Sequence, residues 1–407
     1  MTFDFNKILE SIKSVEELKN NLHGKTVLLR TDYNVPLKQK NKKQIIIDDS
    51  RIKASLKTIN FLLREGAKII IISHLGEPKK YEPELSLKLV ANRLSKLLNK
   101  KVLFCEHLIG EKTDSFVEEF KKNKEYRILM LENLRFNEGE TTNNNEFASK
   151  LASYADYFVF DAFSVAHRQH ASVVGIQKFL KSYAGFLFYD ELKNLSQILI
   201  ANEKPFVLIS GGVKISTKLP FIKNLLDKAD YVIIGGAMMF NFLKAQGFEV
   251  GKSVYSQEEV ELAKQILELG KEKIIIPKDV VASKETSEKS KVKIFDSKKI
   301  DSDYIGLDIG PESVKEFKKI LKNSRIIVWN GPLGYYEIKK FSKSTIEIAR
   351  FISKLNCKKY ACGGDTLAII NSLNLNKKFT YVSTAGGAAL EFLSGKELPG
   401  IKALYFN

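Results

Sequence analysis

Three cysteines, Cys105, Cys357 and Cys362, scattered over 407 residues supply neither a disulfide framework nor a thiolate metal site. A reducing compartment suits such a composition. No apolar run approaches the length of a bilayer span. The opening stretch MTFDFNKILESIKSVEELKN carries acidic residues and no unbroken apolar core, which argues against a signal or transit peptide. A soluble, cytoplasmic protein is expected. Two nucleotide fingerprints are missing as well. No GxxxxGK[ST] occurs, and no GxGxxG opens a first βα unit, so neither a P-loop nor a nicotinamide site is expected. Arginine is scarce, nine of 65 basic residues, so the formal charge of +17 comes mostly from lysine along the whole chain. That charge fits a nucleic-acid binder, an enzyme of polyanionic small molecules or a lysine-rich solvated surface. No run interleaves clustered basic residues with aromatics, so nucleic acid is not expected as the primary partner, although a secondary affinity stays open.

What is present is regular. A chain of this length with 44% apolar residues exceeds the size of one core and reads as two domains. Short apolar runs alternate with amphipathic stretches, the pattern of parallel sheets wrapped by helices. In the first half the runs are Val27 to Leu29, Lys68 to Ile72, Val102 to Phe104, Ile128 to Leu131 and Tyr157 to Phe160. Phe188, Leu192, Leu195 and Leu199 form one stripe of a helix, placed to bridge the halves. The fold class expected is α/β, two doubly wound parallel-sheet (Rossmann-like) domains joined by a hinge and an interdomain helix. The N-terminal domain spans 1–185, the helix 186–202 and the C-terminal domain 203–390. Residues 283–304, rich in Lys, Ser and Asp, read as a surface loop.

In open α/β sheets ligands bind beyond the carboxyl ends of the strands, so the residues after each run are the site candidates. The first run leads into RTDYNVP, with Asp32 and Asn34. DDSRI places Arg51 at a helix start. SHLGEP puts His74 at a strand tip, ENLRF puts Arg135 just past a strand, and AHRQHAS supplies His167, Arg168 and His170. Each alone suits a turn, an ion pair or a satisfied histidine. Together, three of nine arginines and three of five histidines sit where such a sheet gathers its loops. Guanidinium forks match phosphate and carboxylate oxygens, which points to a small substrate carrying both. In the second half glycine dominates instead: SGGVK, the run ending Ile234-Gly235-Gly236, GLDIGP, VWNGPLG, CGGDT and STAGG. Such turns offer backbone amides and helix starts to a nucleotide's phosphates. Within PFVLISGGVKISTK, a strand, a tight turn and a helix start are expected, with Lys214 and Lys218 one helical turn apart and able to reach one phosphate.

RTDYNVP, DDSRI, SHLG, ENLRF and AHRQHAS, in this order, resemble the N-terminal domain of the phosphoglycerate kinase family, and the glycine-rich turns resemble its nucleotide domain. The resemblance covers nearly the whole chain. It implies that Asp32 and Asn34 hold the hydroxyl and carboxylate region of 3-phosphoglycerate, and that Arg51, His74, Arg135 and Arg168 form the basic patch around its phosphate. It implies that Lys218 contacts the nucleotide phosphates and that Lys214, Arg51 and Gly387 stabilise the phosphoryl group in transfer. Asp365 would hold Mg2+, Gly363, Gly364 and Thr366 would line the phosphate path with Asn330 close by, and Glu337 would bind the ribose. The closing segment 391–407 would return towards the first domain. The activity implied is reversible transfer between 1,3-bisphosphoglycerate and MgADP, giving 3-phosphoglycerate and MgATP, by a monomer that closes about a hinge. An open, ligand-free form would hold Arg51 and Lys214 too far apart to share a ligand.

Five positions depart from the family pattern, a minor case being Ser164-Val165, where the family tends to have small residues such as Gly and Ala or Thr. Cys362 and Ala385 stand where glycine is usual, both small. Glu77 stands where the family has an arginine of the patch. A carboxylate about 4 Å from a phosphate charge would cost roughly 4 kcal/mol at an effective dielectric of about 20. Glu77 is therefore expected to turn away, with Lys79 or Lys80 supplying part of the missing charge. Two rival readings remain: a catalytically weakened relative, and a nucleic-acid-binding protein.

Overall fold

A computed structural model describes residues 5–40 and 43–405. The chain divides into two units, one of residues 1–194 with 397–407, the other of residues 195–396. The division falls inside the helix Phe186–Ile200, in which Phe188, Leu192, Leu195 and Leu199 are buried. The helix Pro399–Tyr405 belongs to the first unit, where the Gly400 amide donates to the Ala166 carbonyl at 2.8 Å.

The first unit is built on six parallel strands in the spatial order Leu103–Cys105, Ile128–Leu131, Lys68–Ile72, Thr26–Thr31, Tyr157–Asp161 and Ser182–Ala184. Every residue of the central strand Thr26–Thr31 is buried. Both faces of such a strand are covered, so its sequence reads as a continuous apolar run instead of an alternation. Val27 and Leu29 share one core with Ile69, Ile71, Met130 and Val159, the period-two partners on one face of the sheet. The short strand Ser182–Ala184 is too brief and too polar to announce itself in the sequence.

The second unit repeats the plan in the order Ile274–Ile275, Tyr231–Ile234, Phe206–Ser210, Ile326–Asn330, Lys358–Cys362 and Tyr381–Val382, again all parallel. Numbered along the unit, this is 3-2-1-4-5-6, the doubly wound order whose ligand crevice opens between strands 1 and 4. A separate antiparallel sheet carries Val292–Asp296, Asp279–Ser283 and Ile305–Ile309 side by side. The expectation of a plain loop over 283–304 is thus corrected. Val292–Asp296 is a largely exposed strand without the buried apolar alternation that would announce it: Val292, Lys293, Ile294 and Asp296 face solvent, and Phe295 alone is turned into the core.

Candidate active site

In the first unit the four adjacent strands Ile128–Leu131, Lys68–Ile72, Thr26–Thr31 and Tyr157–Asp161 deliver the loops bearing Arg135, His74, Asp32 and Ser164 in that spatial order. Side-chain hydrogen bonds stitch the loops together. Ser73 Oγ accepts from the Tyr33 amide at 2.9 Å and donates to the Thr31 carbonyl at 2.7 Å. Asn34 Oδ1 accepts from the Gly76 amide at 2.9 Å. Asn133 Nδ2 donates to the Leu75 carbonyl at 2.7 Å, while its Oδ1 accepts from the Arg135 amide at 3.1 Å.

Asp32 is nearly buried and accepts from Arg51 Nη1, from Ser164 Oγ and, at 2.9 Å, from the Asn34 amide. Burial works against its charge, but the Arg51 guanidinium and these donors more than offset it and hold the carboxyl well below the usual carboxylate range. Arg51 lies in the first turn of the short helix Ser50–Ala54 with its side chain 36% exposed, so the fork keeps a face to solvent. Ser164, in the turn Phe163–Val165 where sequence offered only a minor departure, turns out to be a partner of Asp32.

Behind this lies an arginine that sequence reasoning quoted and left unassigned. Arg30 is buried within the strand Thr26–Thr31. Its Nε donates to Ser172 Oγ at 2.9 Å, and Ser172 Oγ in turn donates to the buried Glu140 at 2.6 Å. Arg30 Nη2 lies 3.2 Å from His74 Nδ1. A guanidinium only donates, so Nδ1 accepts and the imidazole proton sits on Nε2. Burial, joined by the Arg30, Arg135 and Arg51 charges, pushes the His74 pKa well down, which keeps the ring neutral. An arginine interrupting the apolar run TVLLRT was the available signal. Arg135, with a side chain 9% exposed, donates to the Gly76 carbonyl at 2.6 Å. Arg168 is exposed, His167 is half-buried, and His170 Nδ1 lies 3.7 Å from Glu140 Oε1. Burial and the surrounding Arg135, Arg30 and Arg168 charges push His170 down to about 4.

Glu77 contradicts the expectation set for it. Its carboxylate does not turn away from the patch but pairs with Arg135 Nη1 at 3.3 Å, while Lys79 and Lys80 are exposed. A lone carboxylate beside a cationic cluster gains by approaching the nearest guanidinium.

The second unit builds its site differently. Between strands Phe206–Ser210 and Ile326–Asn330, the turn after each meets the other: the Gly211 amide donates to the Asn330 carbonyl at 2.8 Å and the Gly212 amide to the Pro332 carbonyl at 2.9 Å. A Cβ on Gly211 would sit 2.0 Å from the Pro332 carbonyl oxygen, so only glycine permits this approach. Residues 213–218 are not helical, and the helix begins at Leu219. The two lysines therefore do not share a helix face. Lys214 is exposed, whereas Lys218 is drawn in, its Nζ donating to the Gly211 carbonyl, and burial lowers its pKa to about 8.

A cavity of about 670 Å³ opens here, lined among others by Lys214, Lys218, Glu337 and Asp365, with Phe240 and Leu333 as apolar walls. Thr286, in the stretch read as a plain loop, also lines it. Asn330 is buried and donates to the Cys362 carbonyl at 2.9 Å. Thr366 is buried too, its Oγ1 accepting from the Gly331 amide at 2.7 Å, so it ties the two turns together instead of facing the cavity. Gly363 has φ +92° and precedes the helix Gly364–Ser372, where Gly364 and Asp365 are exposed. Gly387 opens the helix Gly387–Leu393, and nothing lies within 4 Å of where its Cβ would be. Asp308, unassigned from sequence, lines the cavity while buried, accepting from the Ile309 and Ser344 amides at 2.9 and 3.1 Å. Burial pushes it up to about 7.

No group of three or more His, Cys, Asp or Glu able to hold a metal exists among the described residues. Magnesium does not require one, since it binds through one or two carboxylates plus substrate phosphates and keeps several waters. The exposed Asp365 in the cavity fits that donor set.

Two doubly wound units, one presenting clustered guanidinium and imidazole groups and the other a lysine-bearing, glycine-walled cavity, define a two-domain α/β phosphotransferase. The family model described as phosphoglycerate kinase matches residues 15–396. The phosphoglycerate kinase of Dictyoglomus turgidum is 44% identical over 397 residues, 96% of this chain and 98% of the relative. That of Fervidobacterium nodosum is 45% identical, covering 94% and 96%. The solved structure of phosphoglycerate kinase from Coxiella burnetii superposes with a TM-score of 0.84 at 41% identity, covering 97% and 98% of the two chains. The chain belongs to the phosphoglycerate kinase family, and it is accordingly a kinase of glycolysis.

Proposed function

We propose that the two units divide one reaction between them, the reversible transfer of a phosphoryl group between 1,3-bisphosphoglycerate and ADP to give 3-phosphoglycerate and ATP. The observation that carries this division is the sorting of chemistry: guanidinium and imidazole at the strand ends of one unit, glycine turns and lysines around a cavity in the other. Asp32 and Asn34 position the glycerate, and His74, Arg135 and Arg168 receive its phosphate. Lys218, Asn330, Gly363, Gly364 and Thr366 shape the nucleotide's phosphate path, and Glu337 takes the ribose. Asp365 holds Mg2+, which supplies charge neutralisation at the nucleotide phosphates when bound.

No side-chain nucleophile or general base is needed. In the direction of ATP use, a carboxylate oxygen of 3-phosphoglycerate attacks the terminal phosphorus and the bond from that phosphorus to the ADP oxygen breaks. Catalysis then consists of alignment and of neutralising charge on the moving group. Arg51 and Lys214, with the Gly387 amide, provide that charge, and because they belong to different units the working cycle includes hinge closure. The protein works as a cytoplasmic monomer. No described helix is long and apolar enough to cross a membrane.

Thermal unfolding tests the reading. A ligand present at about 100 times its dissociation constant adds about 2.7 kcal/mol to stability. Both MgADP and 3-phosphoglycerate should raise the melting temperature, each without the other. Absence of either shift, together with steeply salt-dependent, sequence-independent DNA binding, would favour the nucleic-acid reading instead.

A further inference from the structure

The pairing of Glu77 with Arg135 places an acidic group of the protein where an acidic ligand is meant to go. Arg135 is anchored at its backbone and at its fork, and largely buried. Its amide is fixed by Asn133 Oδ1, its Nη1 donates to the Gly76 carbonyl, and only 9% of its side chain is open. Glu77 covers the open side, with its carboxylate 3.3 Å from Nη1 and its own side chain 80% exposed. The backbone aims it there. Gly76 has φ +66°, and a Cβ on it would lie 2.7 Å from Leu85 Cδ1, so the chain leaves His74 by one path and delivers residue 77 beside Arg135. Beyond Gly76 the segment has no helix or strand until Pro83, leaving the carboxylate able to swing outwards. The other acids of the patch, Asp32 and Glu140, are buried and engaged by Arg51, Ser164 and Ser172. Glu77 is the one of the three with a solvent-exposed side chain.

We propose that Glu77 is a built-in competitor for the acid site: it occupies Arg135 in the free protein, is displaced when the phosphate of the substrate arrives, and thereby sets the affinity for 3-phosphoglycerate. The proposal rests on the assignment of Arg135 to the acid site made above. Glu77 touches no reacting atom. It acts through Arg135 on binding, so its effect belongs in KM. Since the Glu77 side of the pair is screened by solvent, its removal should change affinity about twofold to fivefold, the equilibrium equivalent of one exposed ion pair. The change should shrink as salt screens the pair, over a Debye length of about 10 Å at 0.1 M and about 3 Å at 1 M.

The experiment is a coupled assay of 3-phosphoglycerate and MgATP turnover by the full chain, comparing wild type, Glu77→Gln, Arg135→Ala and the double variant at low and high salt. Glu77→Gln is isosteric at an exposed position, so the fold is preserved. The expected result is a KM for 3-phosphoglycerate lowered about twofold to fivefold in Glu77→Gln at low salt, the gain appearing in KM and not in kcat. That gain should be lost both at high salt and in the Arg135→Ala background. If Arg135→Ala raises KM while Glu77→Gln leaves it unchanged or raises it, the competitor role is overturned and the acid-site assignment stands. If Glu77→Gln lowers KM equally in the Arg135→Ala background, Glu77 acts as a distant charge and the pairing is overturned. If Arg135→Ala leaves KM unmoved, the acid-site assignment fails and the proposal falls with it.

Discussion

Each unit is built on six parallel strands, in a different spatial order, and the two prepare for ligand in opposite ways. In the first, charge is carried by rigid forks locked by acids and hydroxyls: Arg51 against Asp32, Arg30 through Ser172 to Glu140. In the second, the framework is backbone, with turns pressed together at Gly211 and Asn330, while Lys214 stands free in solvent. The same scaffold thus carries two kinds of recognition, which is why function has to be read from strand ends and not from fold. A small, doubly acidic molecule suits a preset constellation of guanidinium groups. A nucleotide, long and partly flat, suits a cavity with apolar walls and lysines at one end.

The comparison breaks most visibly at the buried chain from Arg30 through Ser172 to Glu140. Arg30→Met leaves the buried Glu140 without the guanidinium charge that reaches it through Ser172 and should cost up to about 3–5 kcal/mol in urea unfolding. A loss below about 1 kcal/mol would mean that the first unit does not depend on this lock. Next in size, Arg51→Ala should lower kcat about 10²- to 10³-fold, the scale for losing one preorganised donor at a charged transition state. Arg51→Lys should recover little of it, because an ammonium cannot reproduce the fork. Full recovery by lysine would erase the distinction between the units.

A smaller effect separates them by pH. Lys218 has its pKa lowered to about 8, so it loses its charge as pH rises through that value, whereas arginine keeps its own. The KM for nucleotide should rise up to about tenfold between pH 8 and 9.5, while that for 3-phosphoglycerate stays flat. Parallel changes in both would contradict the assignment.

The smallest effect concerns stability, and its sign differs between the units. His170 is lowered to about 4, so between pH 6.5 and 4 the folded protein binds fewer protons than the unfolded chain and stability falls as pH falls. Asp308 is raised to about 7, so between 3.8 and 7 the folded protein binds more protons, and its contribution is lost as pH rises. His170→Gln should flatten the acid side of the melting profile. Asp308→Asn, which mimics the protonated carboxyl, should flatten the decline towards pH 7, followed by fluorescence of Trp329, the only tryptophan, buried in the second unit. Slopes of one sign for both would refute the comparison.

Much of this was legible in the sequence, for identifiable reasons. Buried parallel strands write themselves as apolar runs, and loops after adjacent strands must meet, so Asp32, His74 and Arg135 could be grouped before their spatial order was known. What stayed hidden was orientation and disguise. Arg30 sits inside a strand, where a charge is normally an interruption and here is neutralised by Glu140, 110 positions away in sequence. The strand Val292–Asp296 leaves four of its five side chains exposed, so no buried apolar run marks it. Lys214 and Lys218 have helical spacing, but the close approach of Gly211 and Gly212 to the neighbouring turn delays the helix until Leu219. Glu77 was placed by its repulsion for substrate, whereas in the free protein its attraction to Arg135 governs.

The most direct test of the division of labour is one coupled assay of 3-phosphoglycerate and MgATP turnover on wild type, Arg135→Ala and Lys218→Ala side by side. The wild type should turn over, Arg135→Ala should raise the KM for 3-phosphoglycerate alone, and Lys218→Ala should raise that for the nucleotide alone. No turnover by the wild type, or a crossed pattern in which each variant weakens the other substrate, would contradict the account.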